Sequence, residues 1–428
     1  MKNFFKKILT SIIEIESRAI LKKYHPFIIA ITGSVGKTST KDAIYTVLTK
    51  NSSNSLYIRK SEKSHNSEIG VPLTILGCNN AWNNPFLWLK NIFYGLELIF
   101  LKTKYPDCLV IEIGADHPGD IKRITKWLKP DTVVVTKISE VPVHVEFFPS
   151  REHLVREKGY LVEALKGNGT LIVPHGDEEM KKLLTGVPHK SMTYGTDASS
   201  TVSVSHDAIL YEEKEGIKKP VGMAFKLNYE GNSLPIIYKG CLGIQQIYPL
   251  VAAAAVGISR KIILTEISQA LTSHEPARGR MNIIEGIKNT TVIDDTYNSS
   301  PDALYEALKT LERIETVGKK IAVLGDMMEL GKYSIEEHKK AGEYANKVAN
   351  ILVTVGQRSK VMGNNIISFN TSLEASEYVR GVVEKGDTIL VKGSQSIRME
   401  RVVKGLMAEP EKALELLVRQ EPEWLAKK

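Results

Sequence analysis

Residues 28–40 read Ile-Ile-Ala-Ile-Thr-Gly-Ser-Val-Gly-Lys-Thr-Ser-Thr, and no other stretch narrows the possible folds as far. An apolar run over 27–31 stops at a glycine-bounded turn, Gly33 to Gly36. Apolar residues then return at helical spacing (Ala43, Ile44, Val47, Leu48), with Lys37, Thr38 and Ser39 at the point where loop becomes helix. Backbone N–H groups of such a loop converge on one concavity, and the helix dipole adds positive potential there. A lysine so placed reaches the outer phosphates of a nucleotide, and the first hydroxyl can hold Mg²⁺. The pattern is Gly-x-x-Gly-Lys-Thr-Ser; Ile31 leaves the longer Gly-x-x-x-x-Gly-Lys form incomplete. The flanking strand and helix favour phosphate binding over an ordinary turn. We read Gly33, Ser34, Val35, Gly36, Lys37, Thr38 and Ser39 as an ATP site.

The rest of the chain must supply a sheet for this loop. Further buried-strand candidates at 108–113, 132–138 and 170–173 are separated by helix-length segments, the alternation of a mostly parallel α/β sheet. Short alternating runs at 202–204, 223–229 and 234–238 suggest an antiparallel subsheet, followed by a helix of small residues over 250–256. Around Glu275-Pro276-Ala277-Arg278-Gly279-Arg280 the chain punctuates. A second α/β series follows, with strands at 291–294, 321–324, 351–355 and 388–391 and helices at 301–314 and 335–348. The expected organisation is a short amphipathic helix (1–26), a central ATP-binding domain (27–276) and a C-terminal α/β domain (277–428). At 428 residues the chain can hold that many cores.

A net charge of +8 favours anionic ligands such as nucleotides, but the charge is spread rather than clustered, which gives nucleic-acid binding no support. Cys78, Cys108 and Cys241 form neither a pair motif nor an even set and read as reduced thiols in the cytoplasm. The basic N-terminal stretch carries no signal-peptide cleavage site. The apolar, aromatic run 86–101 is interrupted by Lys90, Asn91 and Glu97 and is too short to span a membrane. It reads as an amphipathic helix lying on the protein or, less favoured, on a membrane surface.

Several polar groups fall at the carboxyl ends of strands, where open parallel sheets bind ligands. Glu112 sits in a strand, where a charge is costly unless paired or metal-bound. Asp116-His117-Pro118-Gly119 matches a GTPase DxxG, but no base-reading NKxD follows the third strand, so a GTPase is disfavoured. His144 and Glu146 read equally as structural or metal-binding, and Lys158 reads as a solvated helix lysine. The cluster 294–302, Asp-Asp-Thr-Tyr-Asn-Ser-Ser-Pro-Asp, exceeds what a helix cap needs and suggests a ligand site. Residues 325–331 (Gly-Asp-Met-Met-Glu-Leu-Gly) and Lys392-Gly393-Ser394-Gln395-Ser396 are weaker signals of the same kind.

Together these strings resemble the Mur ligases, ATP-dependent amide-bond-forming enzymes of cell-wall precursor synthesis, and within them the MurF-like members that add D-alanyl-D-alanine to a UDP-N-acetylmuramoyl tripeptide. The matching strings are 32–40, 66–74, 111–121, 144–148, 279–281, 293–302, 324–331 and 391–400, in the family's order. The resemblance implies a P-loop ATPase domain followed by a Rossmann-like C-terminal domain, with ATP and Mg²⁺ as cofactors. It implies that Gly33, Gly36, Lys37, Thr38 and Ser39 cradle the triphosphate and that Thr38 and Glu112 share one Mg²⁺. His144 would hold a second ion, and Lys158 would be the lysine that this family carbamylates. Arg280 would reach the γ-phosphate across the domain junction, with Asp295 and Asn298 near ribose and adenine. A monomeric enzyme in the cytoplasm is the expected state.

Departures from the family pattern accompany the match. Only about thirty residues precede the phosphate loop, where the family places a UDP-sugar-binding domain. Ser64, Ser67 and Asp116 stand where asparagines are usual; Gln245, Gln246 and Pro249 replace the expected residues near the adenine, and Gln395 replaces an arginine. The core ATP and metal set is intact, so the departures bear on the acceptor. The N-terminal stretch and the segment 82–101 read as helices packed on the sheet, in preference to a small substitute platform for the UDP-sugar. A Mur-type ligase acting on a non-UDP acceptor, as folylpolyglutamate synthases do, and a non-catalytic ATP-binding protein are the competing readings.

Overall fold

The computed structural model describes residues 2–50, 56–62, 65–82, 84–142, 144–177, 190–363 and 366–426, with side chains from residue 8 onward. Ser64 of the motif around 66–74, and Asn83 of the aromatic segment, lie outside the described residues.

Nine strands form the first sheet: β1 (Phe27–Thr32), β2 (Ile58–Lys60), β3 (Cys108–Glu112), β4 (Thr132–Val135), β5 (Thr170–Pro174), β6 (Lys190–Gly195), β7 (Val202–Lys214), β8 (Ile217–Tyr229) and β9 (Asn232–Lys239). Their order is β2-β3-β1-β4-β5-β6-β7-β8-β9, parallel through β7 and antiparallel thereafter. Because both faces are covered, β1 and β3 are apolar at nearly every position. Ile29 and Ile31 point to one face, with helices Lys37–Thr49 and Ile244–Ser259. Ile28 and Ala30 point to the other, with Ile13 and Ile20 of the N-terminal helix Lys2–Tyr24. The small-residue helix is longer than the expected 250–256, and Ala252, Ala253, Ala254 and Ala255 are wholly buried where it packs on Lys37–Thr49.

The second sheet holds β10 (Asn282–Glu285), β11 (Thr291–Asp295), β12 (Lys320–Gly325), β13 (Ile351–Val355), β14 (Ile367–Phe369) and β15 (Thr388–Lys392), ordered β10-β11-β15-β12-β13-β14. All pairs are parallel except the edge pair β10–β11. In each sheet the ligand-rich loops leave the carboxyl ends where strand order reverses: β1 lies between β3 and β4, and β15 between β11 and β12.

The strand expectations at 27–31, 108–113, 132–138 and 170–173 fall on β1, β3, β4 and β5, although β4 stops at Val135. The antiparallel runs are far longer than expected: β7 and β8 each span 13 residues, because their pairing continues out to Lys214 and Ile217, where β7 is largely exposed while β8 stays mostly buried. The short strands β2, β6, β10 and β14 carry too few apolar residues to announce themselves. The segment 82–101 forms helix Pro85–Phe100, but it packs on helix Lys2–Tyr24 and not on the sheet, burying only Gly95 and Leu98.

Candidate active site

The loop after β1 is shaped by two glycines with positive φ, Gly33 at 140° and Gly36 at 88°. A Cβ on Gly33 would overlap Thr136 Oγ1 and come within 2.8 Å of the Thr136 carbonyl, so only glycine lets the loop lie against the end of β4. Ser34 N and Val35 N both donate to the Lys137 carbonyl, at 3.0 and 3.3 Å, which pins the loop there. These two N–H groups are thus engaged by protein. The expected convergence of loop N–H groups narrows to the first turn of helix Lys37–Thr49, whose N–H groups have no intrahelical acceptor. Gly36 caps that helix without a side chain, leaving an anion receptor open at its end.

Two lysines close round this end. Lys37 Nζ donates to the carbonyls of Gly33 (3.0 Å) and Ser34 (3.3 Å). Lys158 Nζ donates to the same Gly33 carbonyl at 3.0 Å. Lys158 is 5% exposed, so its reading as a solvated lysine is overturned: the buried face of helix Arg151–Glu163 carries it under the loop. Burial first, and then the neighbouring Lys37 charge, pull its pKa down to about 7, against opposing pulls from Asp116 and Glu157. Desolvation likewise lowers the pKa of Lys37.

Glu112, 3% exposed at the end of β3, accepts from Thr38 Oγ1 at 3.0 Å and from Asn66 Nδ2 at 3.3 Å. The buried strand charge is therefore paired by neutral donors. Among the described residues no three His, Cys, Asp or Glu side chains converge on a metal position. The Thr38 hydroxyl and Glu112 carboxylate are nevertheless hard oxygen donors beside a phosphate receptor, which suits Mg²⁺ completed by phosphate and water.

The second sheet supplies the opposite wall. Asp295, at the end of β11, is ion-paired with Lys392 at the end of β15 (2.6 Å), and Lys392 Nζ also donates to the Asn298 carbonyl at 3.0 Å. Met281 N donates to Asp295 Oδ1 at 3.2 Å. Arg280 lies over the Tyr297 ring, 4.2 Å from its centroid. Behind Tyr297 stands a buried triad. Glu400 receives Arg398 at 2.5 Å and Arg419 at 2.8 Å, and Arg419 also donates to the carbonyls of Thr296 and Tyr297. Nothing in the sequence marks this triad, because Arg419 stands far from the other two in the chain.

His144, in left-handed backbone (φ 73°), bridges the units: its Nδ1 lies 2.6 Å from Glu329 Oε2, and its Nε2 lies 3.6 Å from Asp116 Oδ1. Its hydrogen bond and charge hold the Glu329 carboxyl below the usual range. Gly331 N donates to Glu146 Oε2 at 3.3 Å beside it. The string 325–331 thus meets 144–148 across the domain junction. Gly33 to Ser39, Glu112, His144, Lys158, Arg280, Asp295 and Asn298 line one cavity of about 300 Å³, whereas Glu146, Asp294, Asp302 and residues 325–331 lie outside its lining. Asn66, Asp116, Tyr297, Lys392 and the departing residues Gln245, Gln246 and Gln395 line it as well.

Comparison with known proteins gives this geometry a family. The model for the Mur ligase middle domain matches residues 31–86 and 90–257, and that for the Mur ligase, glutamate ligase domain matches 279–395. The chain belongs to the Mur ligase family. Among relatives of this Mur ligase, the UDP-N-acetylmuramoyl-tripeptide--D-alanyl-D-alanine ligase of Buchnera aphidicola subsp. Acyrthosiphon pisum is 31% identical over 407 residues, covering 92% of this chain and 79% of that one. The ligase of the same name from Bacillus subtilis is 27% identical with the same coverage. In fold it is similar to the MurF ligase of Thermotoga maritima in complex with ADP (TM-score 0.76, 24% identity, 94% of this chain and 84% of that one). It is also similar to Mycobacterium tuberculosis folylpolyglutamate synthase (TM-score 0.62, 14% identity, 94% of each chain). Among the described residues no helix is long and apolar enough to cross a membrane.

Proposed function

We propose that this ligase joins D-alanyl-D-alanine to a UDP-N-acetylmuramoyl tripeptide, the pair that the names of its relatives give, at the expense of ATP. The observation that carries the reading is that a phosphate-binding loop on one sheet and Arg280, Asp295 and Asn298 on another line one cavity. On this reading residues 27–276 hold the ATP phosphates and 277–428 close over them. Gly33, Ser34, Val35, Gly36, Lys37, Thr38 and Ser39 take the triphosphate, Arg280 reaches the γ-phosphate, and Asp295 and Asn298 take the ribose and adenine. Thr38 and Glu112 would hold Mg²⁺, with His144 and a carbamylated Lys158 at a second ion; the ions would offset charge on the transferring phosphoryl group.

The chain's own groups have defined work. A carboxylate is a poor acyl donor, so it first takes the γ-phosphoryl group from ATP, and the incoming amine then displaces phosphate. Lys37 and the first-turn N–H groups stabilise the charge on that phosphoryl group. The contacts of His144 with Glu329 and of Glu146 with Gly331 hold the two units together, excluding water that would hydrolyse the activated acyl group. A monomer working in the cytoplasm is part of the same proposal. A second reading, a Mur-type ligase with a non-UDP acceptor, has one observation in its favour: the folylpolyglutamate synthase match spans 94% of both chains.

The test is phosphate release from Mg·ATP with D-alanyl-D-alanine and UDP-muramoyl tripeptide, each omitted in turn. Release that needs both, with the matching peptide bond by mass and loss of turnover in Lys37→Ala, supports the proposal. ATP binding with no stimulation by that pair refutes it and turns the search to acceptors lacking a UDP-sugar.

A further inference from the structure

Helix Pro85–Phe100 is fixed at both ends and covered on one face only, that of Trp88, Ile92, Gly95, Leu98 and Ile99. Asn84 Oδ1 caps it, accepting from Phe86 N at 3.0 Å and Leu87 N at 3.1 Å. At the far end Lys23 Nζ donates to the carbonyls of Leu98 (2.8 Å) and Ile99 (3.1 Å) and to that of Leu101. Asn91 Nδ2 and Trp88 Nε1 tie it to the Asn79 and Trp82 carbonyls, at 2.9 and 3.0 Å. A helix held this firmly presents its outer face by construction, not by fraying.

That face is apolar. Phe86, Leu89, Phe93, Leu96 and Phe100 recur at steps of three and four and make one stripe, headed by Trp82. Trp82 and Phe86 are 81% exposed, Phe100 77% and Phe93 62%. Leu87, Tyr94 and Leu101 are exposed as well, beyond a line formed by Lys90 and Glu97. Isolated exposed apolar residues are ordinary; a continuous ridge of aromatic rings marks a surface that something else covers.

Charge decides between coverings. Residues 8–24 and 79–104, the described side chains of the two helices and their flanks, carry six basic groups against three acidic ones, of which Glu16 is buried. A second copy docking through the same ridge would set that basic surface against itself, since a two-fold interface pairs a patch with its own image. An anionic surface meets it favourably. The helix is also too short to cross a bilayer, so it would lie in the interface plane, rings at the acyl boundary and lysines among the headgroups. We infer that the Trp82–Phe100 ridge, with the basic helix Lys2–Tyr24 beneath it, docks this ligase onto anionic lipid membranes as a peripheral protein.

Co-sedimentation of the full chain with vesicles of phosphatidylcholine, alone or mixed with phosphatidylglycerol, tests this. Expected are at least tenfold stronger association with the mixed vesicles, weakening at high salt, and a further loss of at least tenfold in Phe86→Ser/Phe93→Ser/Phe100→Ser. Lys102→Glu/Lys104→Glu should weaken binding to the mixed vesicles alone. Both variants alter exposed positions, and unchanged ATP turnover would show that they fold. Absence of vesicle binding, or equal binding by the triple variant, overturns the inference. Equal binding to neutral vesicles overturns the anionic preference. A dimer in sedimentation velocity that the triple variant abolishes, with no lipid binding, assigns the ridge to a second copy instead.

Discussion

The helix pair that carries this ridge hides a carboxyl group whose cost can be measured. Glu16 is 3% exposed between helices Lys2–Tyr24 and Pro85–Phe100, and among the described residues neither of its oxygens has a hydrogen-bond partner. Its carboxylate lies against Gly95, where any Cβ would collide with it. Desolvation alone raises its pKa from 4.5 to about 7. The sign follows from proton counting. The unfolded chain loses this proton near pH 4.5 and the folded protein keeps it until about pH 7, so stability falls across that window and stays low above it. The penalty works out at about 1 kcal/mol at pH 5 and about 3 kcal/mol at pH 8. Glu16→Met, of similar length and unable to ionise, should therefore be the more stable protein, with a gain larger by roughly 2 kcal/mol at pH 8 than at pH 5. Urea unfolding followed by tryptophan fluorescence reads it, since Trp88 lies in the helix concerned and Trp82 just before it. Glu16→Gln controls for volume and should lose the pH dependence while keeping the buried polar group. A gain that is the same at pH 5 and pH 8 would refute the reasoning, because the native carboxyl would then be solvated or paired.

Gly33→Ala should weaken ATP binding at least tenfold by titration calorimetry, since it combines disfavoured backbone with overlap on Thr136; binding within twofold of the parent would show that the loop can move off β4. Glu400→Gln leaves two buried guanidinium groups short of their carboxylate and should cost about 3–5 kcal/mol in urea unfolding. It should also raise the KM for ATP, because Arg419 holds the Tyr297 carbonyl. With a pKa near 7, Lys158 is mainly the neutral amine at pH 8 and mainly ammonium at pH 6. Exposure to ¹³C-bicarbonate should accordingly give a carbamate resonance at pH 8 that fades at pH 6 and is missing in Lys158→Met; a resonance unaffected by that substitution would assign it elsewhere.

The central parallel strands were legible in the sequence because burial on both faces demands uninterrupted apolar runs, and the phosphate loop because a turn against β4 with a helix behind it demands glycine, lysine and hydroxyl in that order. Glu112 was legible for the opposite reason: a charge inside an apolar strand calls for a partner. Residue order along the chain sets the local conformations and the chemical groups at their ends. Long-range packing selects which of those groups meet. Lys158 looks like any surface helix lysine until the helix Arg151–Glu163 is laid under the loop and the ammonium loses its water. His144 has no partner until Glu329, from the other sheet, arrives beside it, and the Arg398–Glu400–Arg419 triad exists only because the chain's last segment folds back over β11. Helix periodicity foretold helix Pro85–Phe100 but not which way its rings face, because that depends on what the neighbouring helix leaves uncovered. Local propensity acts through neighbours a few residues apart, whereas desolvation and pairing act through space, and only the folded chain fixes those distances.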